Sequence, residues 1–170
     1  MRMNHVGACS SETARRQQTW YVFHRAALCV LRDSSETAHV DACSDIAWPR
    51  EVAPAYEQVL SMAANEVAEG VRSAKGDPGM GIDVDVRDDT QFDVLLALAP
   101  YTIHAEAWQQ GREIFSAGDA GTALWIAVTS EQEVRLTSRL DALSVSQTAF
   151  TTQPRRRRSL FARWSRHQIA

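Results

Sequence analysis

The chain has 170 residues, of which 45% are hydrophobic, 23% charged and 8% aromatic, and its formal net charge is −3. This composition is that of one ordinary globular domain, and it excludes collagen-like, coiled-coil and mostly disordered chains. Residues 1–153 hold 12 Lys and Arg against all 21 Asp and Glu, a net charge of −9, whereas residues 154–170 hold six Arg and no acid. Because the body is acidic, a uniformly basic nucleic-acid binder is also excluded.

Cysteine usage and hydropathy indicate a cytoplasmic protein. The three cysteines, Cys9, Cys29 and Cys43, have no Cys-x-x-Cys spacing, and their odd number favours a reducing compartment over a disulfide framework. The longest apolar run, residues 20–31, is interrupted by His24 and Arg25. It is too short to cross a bilayer, which requires about 20 apolar residues.

The first 45 residues are poorly patterned and are predicted to be an N-terminal extension. Within them, residues 20–31 are compatible with a short helix that ends at the polar residues from Asp33 to Glu36. We expect this extension to lie outside the folded core, so that residues 46–145 fold on their own.

Residues 46–145 begin with the clearest helical pattern in the chain. Pro49 and Pro54 suit the first turn of a helix, where a proline loses no needed donor. Apolar residues then recur with a period of 3.6 from Val52 to Val71. The glycine-rich and proline-containing residues 76–81 end this helix.

Five strands are predicted after this helix. The first alternates apolar and acidic residues over 82–86, and the second is the apolar run 92–98, which we expect to be central and buried on both faces. The other three cover residues 101–108, 112–116 and 122–128. Short turns between them favour antiparallel pairing of successive strands.

A second helix is predicted from Ser130, because Ser130 and Glu133 have the spacing of a capping box. The predicted fold is therefore α+β: an antiparallel five-stranded meander with helices packed on one face, in the order helix–βββββ–helix.

The body also carries a candidate interaction surface. Five aspartates lie on or after the first predicted strand, and we expect them to form an acidic binding surface: Asp83, Asp85, Asp88, Asp89 and Asp93. Trp108 and Trp125 are candidate aromatic anchors for a partner. The aspartates are not accompanied by a third placed ligand or by the glycine of a calcium loop, so no metal site is predicted.

His104 and Glu106 are the weak candidates for catalysis. They match the His-x-Glu of zinc nucleobase deaminases, but the Pro-Cys-x-x-Cys that this chemistry needs downstream is missing. On a strand the two side chains share the more polar face. An enzyme with a pocket that uses them is one alternative function, and no cofactor is predicted.

Residues 146–170 are predicted to be a basic, flexible tail. It could contact a polyanion through a set of arginines and one tryptophan: Arg155, Arg156, Arg157, Arg158, Arg163, Trp164 and Arg166. Nucleic acid and an anionic membrane both fit that chemistry, and so does docking of the tail onto the acidic body.

The function expected from these features is binding to another macromolecule. We expect a protein-interaction module of the inhibitor, immunity or antitoxin kind, whose acidic surface meets a basic protein partner. Association with nucleic acid or an anionic membrane through the tail is the second expectation. The sequence leaves the oligomeric state open.

Overall fold

A computed structural model describes residues 7–145, with side chains from residue 18 onward. The helices in this range are α1 (Gly7–Leu31), α2 (Ala53–Ala68), α3 (Asp89–Leu98) and α4 (Ser130–Ala142). The strands are β1 (Thr37–Asp41), β2 (Ile82–Val84), β3 (His104–Gln109), β4 (Arg112–Gly118) and β5 (Ala123–Ile126). Within these residues, no helix combines the length and the apolar character needed to cross a membrane.

The five strands form one antiparallel sheet in the order β2-β1-β3-β4-β5. The predicted α+β class and the five-stranded antiparallel sheet are therefore confirmed. Successive strands are neighbours from β3 to β5, as a meander requires, whereas β1 lies between β2 and β3. That the helices cover a single face stays a prediction.

Residues 92–98 are not a strand, and this prediction is wrong. They belong to α3, which begins at the N-cap Asp88, whose side chain accepts a hydrogen bond from the backbone N–H of Gln91 at 2.9 Å. Phe92, Leu95 and Leu96 are all buried and lie three and four residues apart, so the same apolar run satisfies a helix. A short buried run does not distinguish the two structures by periodicity.

The sheet still has five strands, because β1 lies in the predicted N-terminal extension. Thr37–Asp41 pairs with β2 on one side and with β3 on the other, so the expected boundary after residue 45 separates β1 from both of its partner strands. Ala38 and Val40 of this strand are buried in the core. Residues before 46 therefore supply part of both the sheet and the core.

Helix α1 is longer than the expected helix over residues 20–31, and its C-terminal half is buried on nearly every side. The buried side chains there are Phe23, His24, Ala26, Ala27, Leu28, Val30 and Leu31. A helix that is buried all round has no polar face, and so it leaves no amphipathic period in the sequence.

The predicted helices α2 and α4 are present. Pro54 lies in the first turn of α2. The capping box of α4 is formed one residue earlier than expected: the Thr129 hydroxyl accepts from the Gln132 backbone N–H at 3.2 Å, and the Gln132 side chain accepts from the Thr129 N–H at 2.9 Å. Ser130 is therefore the first helical residue rather than the cap.

The buried face of the sheet includes four alanines on its three central strands. Ala38, Ala105, Ala107 and Ala117 are at most 2% exposed, and they surround the larger Phe115. Helix α1 packs against β4 on this face, where His24 meets the edge of the Phe115 ring with the ring centroids 6.4 Å apart. Small residues allow a helix and a sheet to approach closely, and Phe115 fills the space that remains.

His24 is a fully buried polar side chain between α1 and the sheet. Its Nδ1 lies 2.6 Å from the carbonyl oxygen of Trp20, and because a carbonyl only accepts, Nδ1 carries the proton. Nε2 makes no hydrogen bond within the described residues. Burial lowers the pKa of His24 below its ordinary value of 6.5, so the folded protein holds this imidazole neutral.

The first prediction concerns the fragment of residues 46–145. It lacks α1 and β1, so β2 has no neighbouring strand and the alanine-rich face loses its helix. We expect this fragment to show no cooperative thermal transition by circular dichroism, whereas the fragment of residues 7–145 unfolds cooperatively. A sharp transition in the shorter fragment would show that the N-terminal elements are dispensable.

The second prediction concerns pH. As the pH falls below about 6.5, the unfolded chain takes up a proton at His24 that the folded protein resists, so the free energy of unfolding should decrease. His24→Leu removes this titration. We expect urea denaturation to show that the variant gains stability relative to the unsubstituted protein between pH 7.5 and pH 5. A difference that stays constant across this range would contradict the assignment.

Candidate functional site

The face of the sheet opposite Phe115 carries most of the polar and aromatic side chains of the strands. Besides Gly118 and Ala123, the strand register places ten residues on it, which we call the polar sheet face: Thr37, His39, Asp41, Asp83, His104, Glu106, Trp108, Glu113, Ser116 and Trp125. Alternation along each strand explains this arrangement, because the residues between these positions on β1, β2 and β3 are buried.

One row of the polar sheet face crosses all five strands. Asp83, His39, Glu106, Ser116 and Trp125 are direct neighbours across the ladder, in that order. Because neighbouring strands lie about 4.8 Å apart, this row is about 19 Å wide. It runs from a carboxylate at one edge of the sheet to an indole ring at the other.

Histidines and carboxylates alternate along β1 and β3. The His39 ring lies between Asp83, at 3.4 Å from Nδ1, and Asp41, at 3.2 Å from Nε2. The His104 ring lies between Asp41, at 3.6 Å from Nδ1, and Glu106, at 2.9 Å from Nε2. Each imidazole is thus held between two carboxyl groups, which orients both rings.

Asp41 is the central member of this chain. Its Oδ1 also accepts a hydrogen bond from the backbone N–H of Gly81 at 2.7 Å, which joins β1 to the turn before β2. Gly81 has a φ of +69°, a conformation that favours glycine. The Asp41 side chain is only 16% exposed, so this carboxylate has a structural role beside its contacts to the two histidines.

The arrangement is not that of a metal centre. Each of the four imidazole nitrogens faces a carboxylate oxygen, so the potential ligand atoms point at one another instead of converging on a common point. In the part of the chain that the structure describes, no group of three His, Cys, Asp or Glu residues is placed to hold a metal ion.

His104 and Glu106 are in contact, as their spacing on a strand implies. The second oxygen of Glu106 accepts a hydrogen bond from the indole N–H of Trp108 at 3.2 Å, so Glu106 is engaged on both sides. A depression of about 460 Å³ lies elsewhere, between Arg32, Glu36, Arg87 and Gln109, and neither His104 nor Glu106 lines it.

The five aspartates of the predicted acidic surface are divided by the structure. Asp83 lies on the polar sheet face, with its side chain 90% exposed. Asp88 caps α3, Asp85 accepts from the backbone N–H of Arg87 at 2.9 Å, and Asp89 forms an ion pair of 2.6 Å with Arg32. Asp93 is exposed on α3. Asp85, Asp88 and Asp89 therefore already have partners: Asp85 and Asp88 bind backbone groups close to them in the chain, and Asp89 binds Arg32, which follows α1.

Both predicted aromatic anchors lie on the polar sheet face. Trp125 is 49% exposed on the edge strand β5, and Trp108 is half-buried beside Glu106. His39 and Asp41 were not predicted as site residues, because β1 was not recognised as a strand from its sequence. The predicted polyanion-binding residues of the tail, at positions 155–158, 163, 164 and 166, lie outside the described residues.

No protein-family model, curated protein or solved structure matches this chain. The polar sheet face and the distribution of charge are therefore the features that bear on the function.

The third prediction separates the structural carboxylate from the exposed one. Asp41→Ala removes the acceptor for the Gly81 N–H and a partner of both histidines, and a lost hydrogen bond to a charged group costs about 1.5–3 kcal/mol. Asp83→Ala removes an exposed carboxylate on the same face and should leave the free energy of unfolding nearly unchanged. Urea denaturation of the two variants tests this, and equal losses would refute it.

Proposed function

We propose that the protein is a small binding module whose polar sheet face recognises a basic segment of a partner protein. The observation that carries this proposal is the composition of that face. It holds Asp41, Asp83, Glu106 and Glu113 together with two tryptophans, and none of its strand positions is occupied by Lys or Arg.

The charge of residues 1–153 supports a basic partner. The net charge of −9 over residues 1–153 attracts a cationic protein from a distance, which speeds encounter and disfavours acidic competitors. One cation near the face is Arg72, which lies beside Gly81 and whose guanidinium is already committed to Glu66 at 2.7 Å and to the Met80 carbonyl at 2.5 Å. The carboxylates of the face are therefore not neutralised by that arginine.

Arginine is the side chain that best fits this chemistry. A guanidinium stacks on an indole ring and at the same time donates planar hydrogen bonds to a carboxylate. Trp108 and Glu106 lie two residues apart on the same face of β3. Trp125 lies in the same row as Glu106, two strands away. Because the strands fix these positions, little order has to be gained on binding.

A module of this kind suits an inhibitor, immunity protein or antitoxin. Such a protein covers the basic surface with which its partner engages an acidic target, and it needs a rigid acidic face rather than a deep pocket. The polar sheet face has that form, since its side chains stand on a continuous sheet.

The fourth prediction tests the face with a labelled oligoarginine peptide, using fluorescence anisotropy. Asp83→Asn, Glu106→Gln and Glu113→Gln together should weaken binding about tenfold, as the loss of three ion pairs at exposed or partly exposed carboxylates, of up to about 1 kcal/mol each, can do. A control with the same change of charge carries Glu57→Gln, Glu69→Gln and Asp93→Asn, all exposed on α2, after it or on α3. It should bind nearly as well as the unsubstituted protein.

Salt provides the second readout. Raising the salt concentration from about 0.1 M to about 1 M shortens the Debye length from about 10 Å to about 3 Å, so binding should weaken strongly. If the face variant and the control variant bind equally well, the binding surface lies elsewhere and the proposal fails.

A further inference from the structure

We infer that protons compete with a basic partner for the polar sheet face, because His39 and His104, once protonated, take over the carboxylates to which the partner binds. The inference rests on the function proposed above and adds to it a dependence on pH. It follows from the position of each imidazole ring, from the charge of the face and from the groups that surround the rings.

Both nitrogens of each ring face a carboxylate oxygen. For His39 these oxygens belong to Asp83 and Asp41, and for His104 they belong to Asp41 and Glu106, at distances of 2.9–3.6 Å. A neutral imidazole carries one N–H, so the lone pair of its other nitrogen faces the oxygen of an ionised carboxylate. A second proton replaces this repulsion by an attraction between opposite charges. The geometry of both rings is therefore completed by a proton.

The carboxylates that hold these protons are the ones that the partner needs. Of the four carboxylates of the face, Asp41, Asp83 and Glu106 each contact at least one of the two rings. With neutral rings the strand positions of the face carry a charge of −4, and with two imidazolium ions they carry −2. Oxygens paired with an imidazolium are also less available to accept hydrogen bonds from a guanidinium. Protonation therefore reduces both the attraction and the number of free acceptors.

The groups that face the rings from the strands are acidic or uncharged. Strands β1, β2 and β3 contribute the three carboxylates that contact the rings. Strand β4 presents the uncharged residues Ser116 and Gly118 opposite Glu106 and His104. A proton on His104 therefore gains two carboxylate contacts and meets no opposing charge from the strand positions of the face.

A cation also lies near His39, in the chain before β2. The guanidinium of Arg72 and the His39 ring both lie beside Gly81. Arg72 is paired with Glu66 at 2.7 Å, which offsets its charge. The two carboxylates in contact with His39 are closer than this offset charge, so they remain the main influence on whether the ring holds a second proton.

The expected pH range follows from the ordinary behaviour of these side chains. A histidine takes up its proton at about pH 6.5 and a carboxylate at about pH 4. Between about pH 7.5 and pH 5.5, the histidines are therefore the groups of the face that change charge. The face binds a basic partner best at the upper end of this range, where the rings are neutral, and binding weakens as the pH falls.

The experiment measures the affinity of the full-length chain for the labelled oligoarginine peptide at pH 7.5 and pH 5.5, by fluorescence anisotropy at constant ionic strength. Arginine keeps its charge over this range, so a change in affinity reports on the protein. We expect the dissociation constant to rise about tenfold at the lower pH, as the loss of half the charge of the face can cause. Circular dichroism at both pH values checks that each protein remains folded.

Two variants assign the titrating groups. His39→Gln combined with His104→Gln keeps a polar side chain at both positions and removes the titration, so its dissociation constant should be nearly the same at both pH values. The matched control carries His5→Gln and His167→Gln, which lie outside the described residues, and it should keep the tenfold change. His24, which is buried against the opposite face of the sheet, is unchanged in every protein compared.

Calorimetry provides a measurement that needs no variant. A tenfold change in affinity over two pH units requires that binding release about half a proton on average. Titration of the peptide into the unsubstituted protein at pH 6.5, in two buffers with different enthalpies of ionisation, measures this release.

The outcomes separate this inference from the proposed function. Peptide binding that is equally tight at both pH values, without release of protons, would overturn the inference and leave the proposed function intact. A tenfold change that persists in the variant without His39 and His104 would also overturn it, since other groups would then be titrating. Absence of binding at pH 7.5 would refute the proposed function and the inference together.

Discussion

Strand β1 is the element on which the rest of the structure depends, because it pairs with β2 on one side and with β3 on the other. Its two faces have different tasks. Ala38 and Val40 face the core, where small side chains leave room for the packing helices, and His39 and Asp41 face outward. Without β1, the short strand β2 would have no neighbour in the sheet.

The same strand also makes the polar sheet face continuous. His39 and Asp41 link Asp83 on β2 to His104 on β3, so a single chain of imidazole–carboxylate contacts crosses three strands. Asp41 further holds the turn before β2 through Gly81. Folding of the sheet and assembly of the candidate site are therefore one event, since both depend on β1 being in register with its neighbours.

The sequence predicts those elements whose surroundings differ on two sides. Helices α2 and α4 have an exposed face, and buried and more exposed residues alternate along β3, so the sequences of these elements show a clear period. Helix α1 and the run at residues 92–98 are enclosed on most sides, and burial of that kind erases the period that would identify them. In β1 the apolar positions preceding Asp41 are Ala38 and Val40, and alanine is a weak strand former, so its alternation carried little weight.

In the candidate site, the contacts within one strand could be predicted from the sequence, whereas those between strands could not. The contact between His104 and Glu106 follows from their spacing within one strand. The two tryptophans were predicted as anchors because of their residue type. The contacts of His39 with Asp83 and of Asp41 with His104 cross between strands. They depend on the order β2-β1-β3, which no local pattern encodes, and the roles of Asp88 and Asp89 at the start of α3 depend on a helix that was not foreseen.

The two edges of the sheet differ in a way that governs how copies of this chain can associate. Strand β2 ends the sheet with three residues and an outward-pointing Asp83, and short, charged strands of this kind resist pairing with another chain. Strand β5, with the sequence Ala-Leu-Trp-Ile, has no charge, and among the described residues it has a neighbour in the sheet on one side only. Growth into fibrils needs two receptive edges per molecule. With one receptive edge, strand addition between copies would stop at a two-fold pair and could not continue into a fibril.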